Sequence, residues 1–336
     1  MKRILLVLLL VCTVLLPPAA AQDDEGENTI WFGAGSTTLD PYYVPLFTLG
    51  RSILAEQGIN LEFVTLTTDE AVEAALDRGR IDAGVLATVG LHRALSQGLS
   101  FKVVLGVETH NPFVLVTRSD LESLEDLRGA QVAAQSRTSL SVTVASVLLE
   151  EAGMVVGEDY EMVYVAGSGN RAAAMEAGSV DAAVIFGPVA NELVDRTEGR
   201  FAVYGGVWEV LDPMLWEGIA FSQRFRDENP ELAAQFVAAM LQAYEQFYEG
   251  DPAEMAALVE EMEIPEEVDT SLEQLQREYE LYQEIELYPV EGGIDEEAYQ
   301  RMTEFLLRVG QITEDQIVAY EDAIDTTFVE QAMQEE

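Results

Sequence analysis

One short pattern occurs twice in the chain, 99 residues apart, and it limits what the chain can fold into. The first copy runs Ala75-Leu-Asp-Arg-Gly-Arg-Ile-Asp-Ala83, and the second runs Ala174-Met-Glu-Ala-Gly-Ser-Val-Asp-Ala182. Each copy has the end of an alanine-rich helix, a glycine suited to a left-handed helix stop, and a short apolar run typical of a buried strand. Two such units predict two similar α/β lobes, with candidate ligand contacts in the loops after the two strands.

The charge of the chain excludes several classes of partner. Among 336 residues, Asp and Glu number 61 against 18 Lys and Arg, a formal net charge of -43. The acidic residues are spread through helical segments, which favours a solvated acidic surface and a salt-loving source over a disordered acidic tail. Nucleic acids and anionic membranes bind basic patches, so neither is expected as a partner.

The first 21 residues have the features of an export signal. Met1-Lys-Arg is a basic start, residues 4–16 are apolar, and Ala19-Ala-Ala21 offers a small-residue cleavage site. We expect residues 22–29 to be a flexible leader and the rest of the chain to be periplasmic or otherwise extracytoplasmic. Cys12 is the only cysteine, and because no small residue precedes it, a lipid anchor is not the expected outcome.

The first lobe offers two polar loops and a histidine as candidate ligand contacts. A glycine-rich loop ends in Thr37 and Thr38, where hydroxyls and backbone N–H groups at a helix start can bind an anion, with a plain turn as the alternative. Tyr42 and Tyr43 follow, and two adjacent tyrosines in a helix do not both face one core. The remaining candidates lie in later loops: Thr88, which can cap a helix or contact a ligand, and His110.

The second lobe offers a hydroxyl-rich helix start that includes an arginine. Ser136, Arg137, Thr138 and Ser139 lead into a long apolar helix. Capping accounts for the hydroxyls, but an arginine at a helix N-terminus is at the unfavourable end of the dipole, which points to a carboxylate or a ligand as its partner. Residues 167–171 are interpreted as a loop before the helix of the second repeat.

The two repeats differ just beyond their strands. Phe186-Gly-Pro188 in the second lobe takes the place of Ala87-Thr-Val in the first. Phe186 can stack on a ligand or belong to the core, and we expect ligand identity to depend on these positions. Asp82 and Asp181, by contrast, precede the strands and are expected to brace a neighbouring turn.

Enzyme and metal motifs are not found in the sequence. Apart from Cys12 there is no thiol, only two histidines are present, and neither a phosphate loop with lysine nor a zinc-protease motif occurs. No ligand cluster stands out among the scattered carboxylates. We therefore predict a binding protein that is not an enzyme, with no cofactor and no metal.

The order of these motifs resembles that of a known family. They are the export signal, the first repeat, Asp126-Leu-Arg-Gly-Ala-Gln-Val-Ala133 before the second helix start, the second repeat, and a Pro-Glu-Leu helix start at 230–232. In this order they resemble the substrate-binding proteins of nitrate, sulfonate and taurine-type ABC importers, a superfamily that includes thiamine-precursor binders. The resemblance covers about residues 30–250.

The resemblance implies a fold, a division of the chain and a partner. The fold is α/β and periplasmic-binding-protein-like (type II), with two lobes joined by two crossing segments and a helical C-terminal extension. Lobe 1 would take 30–116 and lobe 2 would take 117–206, while 207–336 would return to lobe 1 and supply the C-terminal helices. Carried over by position, the cleft would use Thr37, Thr38, Tyr42, Thr88, Ser136–Ser139, Phe186 and Pro188. A small-molecule ligand and an ABC permease are the implied partners, and a monomer is expected.

The ligand stays open at this point. Arg137 and the two helix starts favour a small anion such as a sulfonate or nitrate, captured by hinge closure. A set of aromatic side chains suits a flat heterocycle such as a thiamine-precursor pyrimidine instead: Trp31, Tyr42, Tyr43, Phe186 and Trp208. An exported sensory or enzymatic domain on the same fold is the alternative of another class. The yeast pyrimidine-synthesising enzymes that share this fold depend on a cysteine-rich motif that this chain lacks.

Overall fold

A computed structural model describes residues 28–35, 43–66, 68–135, 140–209, 211, 213–261 and 272–335. The expected signal peptide at 1–21 and the leader up to residue 27 lie outside the described residues. Within them, the strands form two five-stranded sheets. No helix in the described ranges is both long enough and apolar enough to cross a membrane.

The first sheet has the strand order β2-β1-β3-β10-β4. Its strands are β1 (Thr29–Ala34), β2 (Asn60–Thr65), β3 (Ala83–Ala87), β4 (Phe101–Glu108) and β10 (Glu217–Ser222). The helices that connect them are α1 (Val44–Glu56), α2 (Asp69–Asp77) and α3 (Thr88–Ser96). β1, β2 and β3 are parallel, whereas β10 runs antiparallel to both β3 and β4.

The second sheet repeats this plan in the order β7-β6-β8-β5-β9. Its strands are β5 (Phe113–Arg118), β6 (Gln131–Ala134), β7 (Glu161–Tyr164), β8 (Ala182–Phe186) and β9 (Phe201–Gly206). Its helices are α4 (Leu140–Glu151), α5 (Ser168–Glu176) and α6 (Gly187–Arg196). β6, β7 and β8 are parallel and β5 is antiparallel to its neighbours, so the two lobes predicted from the repeat are present.

The repeated motif is the turn that sets each third parallel strand. Gly79 and Gly178 have φ values of 58° and 69°, a left-handed conformation that favours glycine. After each turn, an aspartate accepts a hydrogen bond from the adjacent parallel strand. The Trp31 N–H of β1 donates to Asp82 Oδ2, and the Gln131 N–H of β6 donates to Asp181 Oδ2, both at 2.9 Å. The two aspartates were expected to brace a neighbouring turn, and the structure shows that they instead brace the adjacent parallel strand, β1 or β6.

Two crossing segments connect the sheets, residues 108–113 and 206–217. They are hydrogen-bonded to each other, because the backbone N–H groups of Met214 and Trp216 donate to the carbonyls of Thr109 and Glu108, both at 3.0 Å. The expected boundary at residue 116 falls inside β5, which belongs to the second sheet. Only two chain segments join the sheets within the described ranges, which is the arrangement of a hinge.

The C-terminal part is helical and packs mainly on the first sheet. Its helices are α7 (Gln223–Glu228), α8 (Pro230–Glu249), α9 (Pro252–Glu261), α10 (Leu272–Glu284), α11 (Glu296–Arg308), α12 (Tyr320–Ala323) and α13 (Thr327–Glu335). Phe236 of α8 stacks on Phe32 of β1 with ring centroids 6.1 Å apart. α10 also reaches the second lobe, where Leu281 lies so close to Gly187 that any side chain there would collide with it. The extension therefore contacts both lobes.

His92 joins the first lobe to the C-terminal helices. It is fully buried on α3, its Nδ1 accepts the backbone N–H of Val318 at 3.3 Å, and its Nε2 lies 3.0 Å from Thr303 Oγ1. The Thr303 hydroxyl donates to the carbonyl of Tyr299 at 2.8 Å, so Nε2 carries the proton and the imidazole is neutral. Burial lowers the pKa of His92 to about 4.

This histidine predicts an acid-sensitive contribution to folding. Between pH 6.5 and 4 the unfolded chain binds a proton at His92 that the native protein does not bind, so stability falls as the pH falls. We expect wild type to lose roughly 2–4 kcal/mol more unfolding free energy than His92→Gln between pH 7 and 4. Urea unfolding at both pH values measures this difference. Equal losses in the two proteins would contradict the assignment of a neutral, buried His92.

Candidate functional site

The parallel strands of each sheet end at one edge, and both edges meet at the crossing segments. In open α/β sheets, ligands bind outside the carboxyl ends of the strands, where the chain order reverses. That reversal falls between β1 and β3 in the first sheet and between β6 and β8 in the second. The cleft between these two edges is the candidate site.

On the first lobe, Tyr43 is held beside the hinge. It immediately precedes α1, is 7% exposed, and its hydroxyl donates to Glu217 Oε2 at the start of β10. Glu217 pairs across the sheet with both Ala87 and Glu108. Glu108 is buried, and its Oε1 accepts the Asn111 amide at 2.7 Å. Two side-chain hydrogen bonds, joined through the backbone pairing of Glu217 with Ala87 and Glu108, therefore form a polar network that ties the end of β3 to both crossing segments.

Thr88 is part of the same junction. It is the first residue of α3 and is 2% exposed. Its hydroxyl donates to the carbonyl of Leu215, and its backbone N–H donates to the carbonyl of Trp216 at 3.0 Å. The hydroxyl thus fastens the first turn of α3 to the second crossing segment, and it makes no capping bond within its own helix.

On the second lobe, Phe186 lies at the end of β8 beside the first crossing segment. Its half-buried ring makes an edge contact with Phe113, with centroids 5.8 Å apart. Gly187 donates its N–H to the carbonyl of Pro112 at 2.9 Å, and Pro188 is buried in the first turn of α6. Phe186 also lies 6.4 Å from Tyr282 of α10. The aromatic ring is therefore positioned at the point where lobe, hinge and C-terminal helices meet.

His110 belongs to a different surface. Its Nδ1 lies 3.1 Å from the carbonyl of Glu286, and it lines a cavity of about 640 Å³ between the crossing segments and the C-terminal part. That cavity includes Pro213, Tyr248 and Pro289 and none of Tyr43, Thr88 or Phe186. The structure thus groups Tyr43, Thr88, Phe186 and Pro188 around the hinge junction, and it places His110 behind that junction.

Seven other predicted site residues lie outside the described residues. They are Thr37, Thr38, Tyr42, Ser136, Arg137, Thr138 and Ser139. The described strands that precede these residues in sequence, β1 and β6, are the central parallel strands of the two sheets.

Sequence reasoning missed two residues of the second lobe, Ser168 and Arg171. Residues 167–171 were expected to form a loop, but α5 begins at Ser168. Gly167 precedes the helix as its N-cap residue and has a φ of 80°. Arg171 is fully buried there. Its counterpart 99 positions earlier is Val72, so the repeat itself contained the signal. An arginine in place of a buried valine marks a position where the two lobes differ.

Acidic groups are found at the corresponding edge of the first lobe. Glu73 on α2 is 8% exposed, and burial raises its pKa to about 7, an effect that Arg93 opposes. Burial also raises the pKa of Asp69, at the start of the same helix. The edges of the two lobes are thus unlike in charge. Among the described residues no cluster of three or more metal-ligating side chains is found.

Comparison with known proteins identifies the family. The model of the NMT1/THI5-like family matches residues 54–255, more than half of the chain, and the chain belongs to that family. No curated protein matches its sequence.

Solved structures show the fold. The periplasmic aliphatic sulphonate binding protein SsuA from Escherichia coli is 17% identical and has a TM-score of 0.64, with 89% of this chain and 93% of that chain covered. The periplasmic nitrate-binding protein NrtA from Synechocystis PCC 6803 is 13% identical, with a TM-score of 0.63 over 92% and 89% of the two chains. A DSZB mutant in complex with biphenyl-2-sulfinic acid is 14% identical, with a TM-score of 0.65 over 92% and 99%. The chain thus has the type II periplasmic-binding-protein fold that the sequence predicted.

The hydrogen bond from Tyr43 to Glu217 predicts an energetic coupling. We expect Tyr43→Phe and Glu217→Gln to be non-additive, with a coupling of about 1–3 kcal/mol, because the bond joins a hydroxyl to a carboxylate. Urea unfolding of the two single variants and the double variant measures it. The matched control is Tyr204→Phe, at an exposed tyrosine of β9, combined with Glu217→Gln, which should be additive. Additivity in the Tyr43 cycle would contradict the network.

Proposed function

We propose that this protein is the exported solute-binding component of an ABC importer, which captures a small anion in the cleft between its lobes and delivers it to a membrane permease. The observation that carries the proposal is the convergence of both carboxyl edges on one two-segment hinge. Thr88 of the first lobe and Phe186 of the second each lie at the end of a parallel strand and next to a crossing segment.

The mechanism follows from this geometry. A solute that touches both edges stabilises the closed arrangement by its differential affinity for it. Closure turns the two lobes about the crossing segments, and the closed surface is what the permease would read. The polar network around Glu108 and Glu217 would keep the hinge residues in place while the lobes move.

An anion is the preferred ligand class, and a flat heterocycle is the second candidate. The sulphonate-binding and nitrate-binding proteins named above share the fold, and the second lobe holds a buried cation at its edge. The heterocycle is favoured by the edge contact of Phe113 with Phe186, which presents aromatic surface beside the hinge. We propose binding without catalysis, as a monomer outside the cytoplasm.

A ligand screen tests this function. The purified protein should show a thermal shift with nitrate, methanesulfonate or taurine, or with an aminopyrimidine. At about 100 times the Kd, the stabilisation should be about 2.7 kcal/mol. Calorimetry should then give a one-to-one stoichiometry, and mass spectrometry should recover the bound compound unchanged. Chemical turnover of the bound compound, or no binding to any compound of the screen at low and high salt, would contradict the proposal.

A further inference from the structure

Arg171 is a buried cation whose described partners are all neutral. Its Nε donates to the carbonyl of Val184 at 2.6 Å, its Nη1 to the carbonyl of Val165 at 3.1 Å, and its Nη2 to the Ser168 hydroxyl at 2.9 Å. No carboxylate within the described ranges forms an ion pair with it. Burial lowers its pKa to about 10, so the guanidinium stays charged at neutral pH.

A buried charge without a counter-charge is unfavourable, and Arg171 is such a charge in a chain rich in carboxylates. Removing a charged group from water is unfavourable unless an opposite charge or good hydrogen bonds offset the lost hydration. With 61 acidic residues available, a carboxylate partner would be easy to provide. Its absence among the described residues leaves a local positive potential at the edge of the second sheet.

The first lobe shows that the fold does not need this cation. Val72 holds the matching position on α2, is fully buried, and contacts the close-packed Gly84 of β3. The two helices connect equivalent parallel strands, since α2 leads from β2 to β3 and α5 leads from β7 to β8. A valine is therefore sufficient for packing at this position, and packing does not explain the arginine of the second lobe.

The position of Arg171 is the point of the second sheet where ligands are expected. β6 pairs with β8 only through Val132 with Ala182 and Ala133 with Ala183. Beyond that ladder, the Val184 carbonyl is taken by the guanidinium. The cation thus occupies the gap between β6 and β8 where the chain order reverses.

Ser168 links the buried guanidinium to the carboxyl end of β8, the edge on which the candidate site is placed. Its half-buried oxygen accepts two hydrogen bonds, from Arg171 Nη2 at 2.9 Å and from the Phe186 N–H at 3.2 Å. Both lone pairs of the hydroxyl are then used, and its own hydrogen is left to donate. In the part of the chain that the structure describes, no acceptor takes that hydrogen. A donor polarised by a buried cation matches an oxyanion.

We propose that Ser168 binds the oxyanion group of the solute and that Arg171, buried behind it, is the positioning residue that makes this subsite select negative charge. The inference rests on the proposed solute-binding function and narrows its substrate class to small solutes with a sulfonate, carboxylate or nitrate-like group. Phe186, whose N–H fixes the same hydroxyl, would contact the body of the solute.

Paired probes separate this role from a purely structural one. Methanesulfonate and the neutral methanesulfonamide have similar shapes and differ in charge, with nitrate and taurine as further anions. Calorimetry should give Ser168→Ala and Arg171→Met a loss of about tenfold or more in affinity for the anion that binds wild type best. The ratio of methanesulfonate to methanesulfonamide affinity should fall by a similar factor. Arg171→Lys should keep much of that ratio, because it keeps the charge.

Arg200→Met is the matched control. Arg200 is another second-lobe arginine that donates to carbonyls, those of Met175 and Glu176, and its loss removes the same formal charge. We expect it to change anion affinity by no more than about twofold, because exposed charges are screened.

Three results with the variants and paired probes would overturn the inference. They are a folded Arg171→Met that keeps wild-type anion affinity, an equal loss for the charged and the neutral probe, and a Ser168→Ala with unchanged affinity. The serine variant decides the matter if Arg171→Met does not fold. Wild type that binds only an aminopyrimidine would overturn the inference and leave solute binding intact. Wild type that binds no compound would overturn the proposed function itself.

Discussion

The structure depends on a short antiparallel contact between the two segments that join its sheets. Two backbone bonds hold residues 108–109 against residues 214–216. The ends of the parallel strands are fastened to this contact, on one side by the Thr88 hydroxyl and on the other by the N–H of Gly187. Because the candidate site and the hinge share these residues, any solute held between the edges acts directly on the elements that bend.

The two lobes share one frame and differ in the ionisable groups at their edges. Position 171 holds an arginine where position 72 holds a valine, while the first lobe has Glu73 and Asp69 near its own strand ends. Two lobes with the same charges at their edges would not distinguish one end of a bound solute from the other. Here an anion would meet a cation on one side, and uncharged or hydrogen-bonding parts of the solute would face the other.

The frame of the fold could be predicted from the sequence because it depends on local chemistry. The glycine stops at 79 and 178 and the strands after them follow from backbone geometry. The bonds of Asp82 and Asp181 span 51 and 50 positions, so their partners could not be predicted in this way. The order of motifs then led to the family and to the two-segment hinge.

The site was only partly predictable because it depends on contacts distant in sequence. The bond of Thr88 to Leu215 spans 127 positions, and that of Tyr43 to Glu217 spans 174. No local sequence pattern predicts either bond. Arg171 was missed for a different reason, since Ser-Gly-Asn before it suggests a loop, whereas the helix already begins there. Comparing the two repeats position by position would have exposed it, because only one lobe has a charge at that position.

The central claim is that the two lobes close on a small anion at their strand ends. Small-angle X-ray scattering tests it most directly, with the radius of gyration measured in the absence of ligand and at saturation with the anion that binds most tightly. We expect a smaller radius of gyration with the anion, and no change with the neutral analogue at the same concentration. Tight binding of the anion with an unchanged radius of gyration would contradict it.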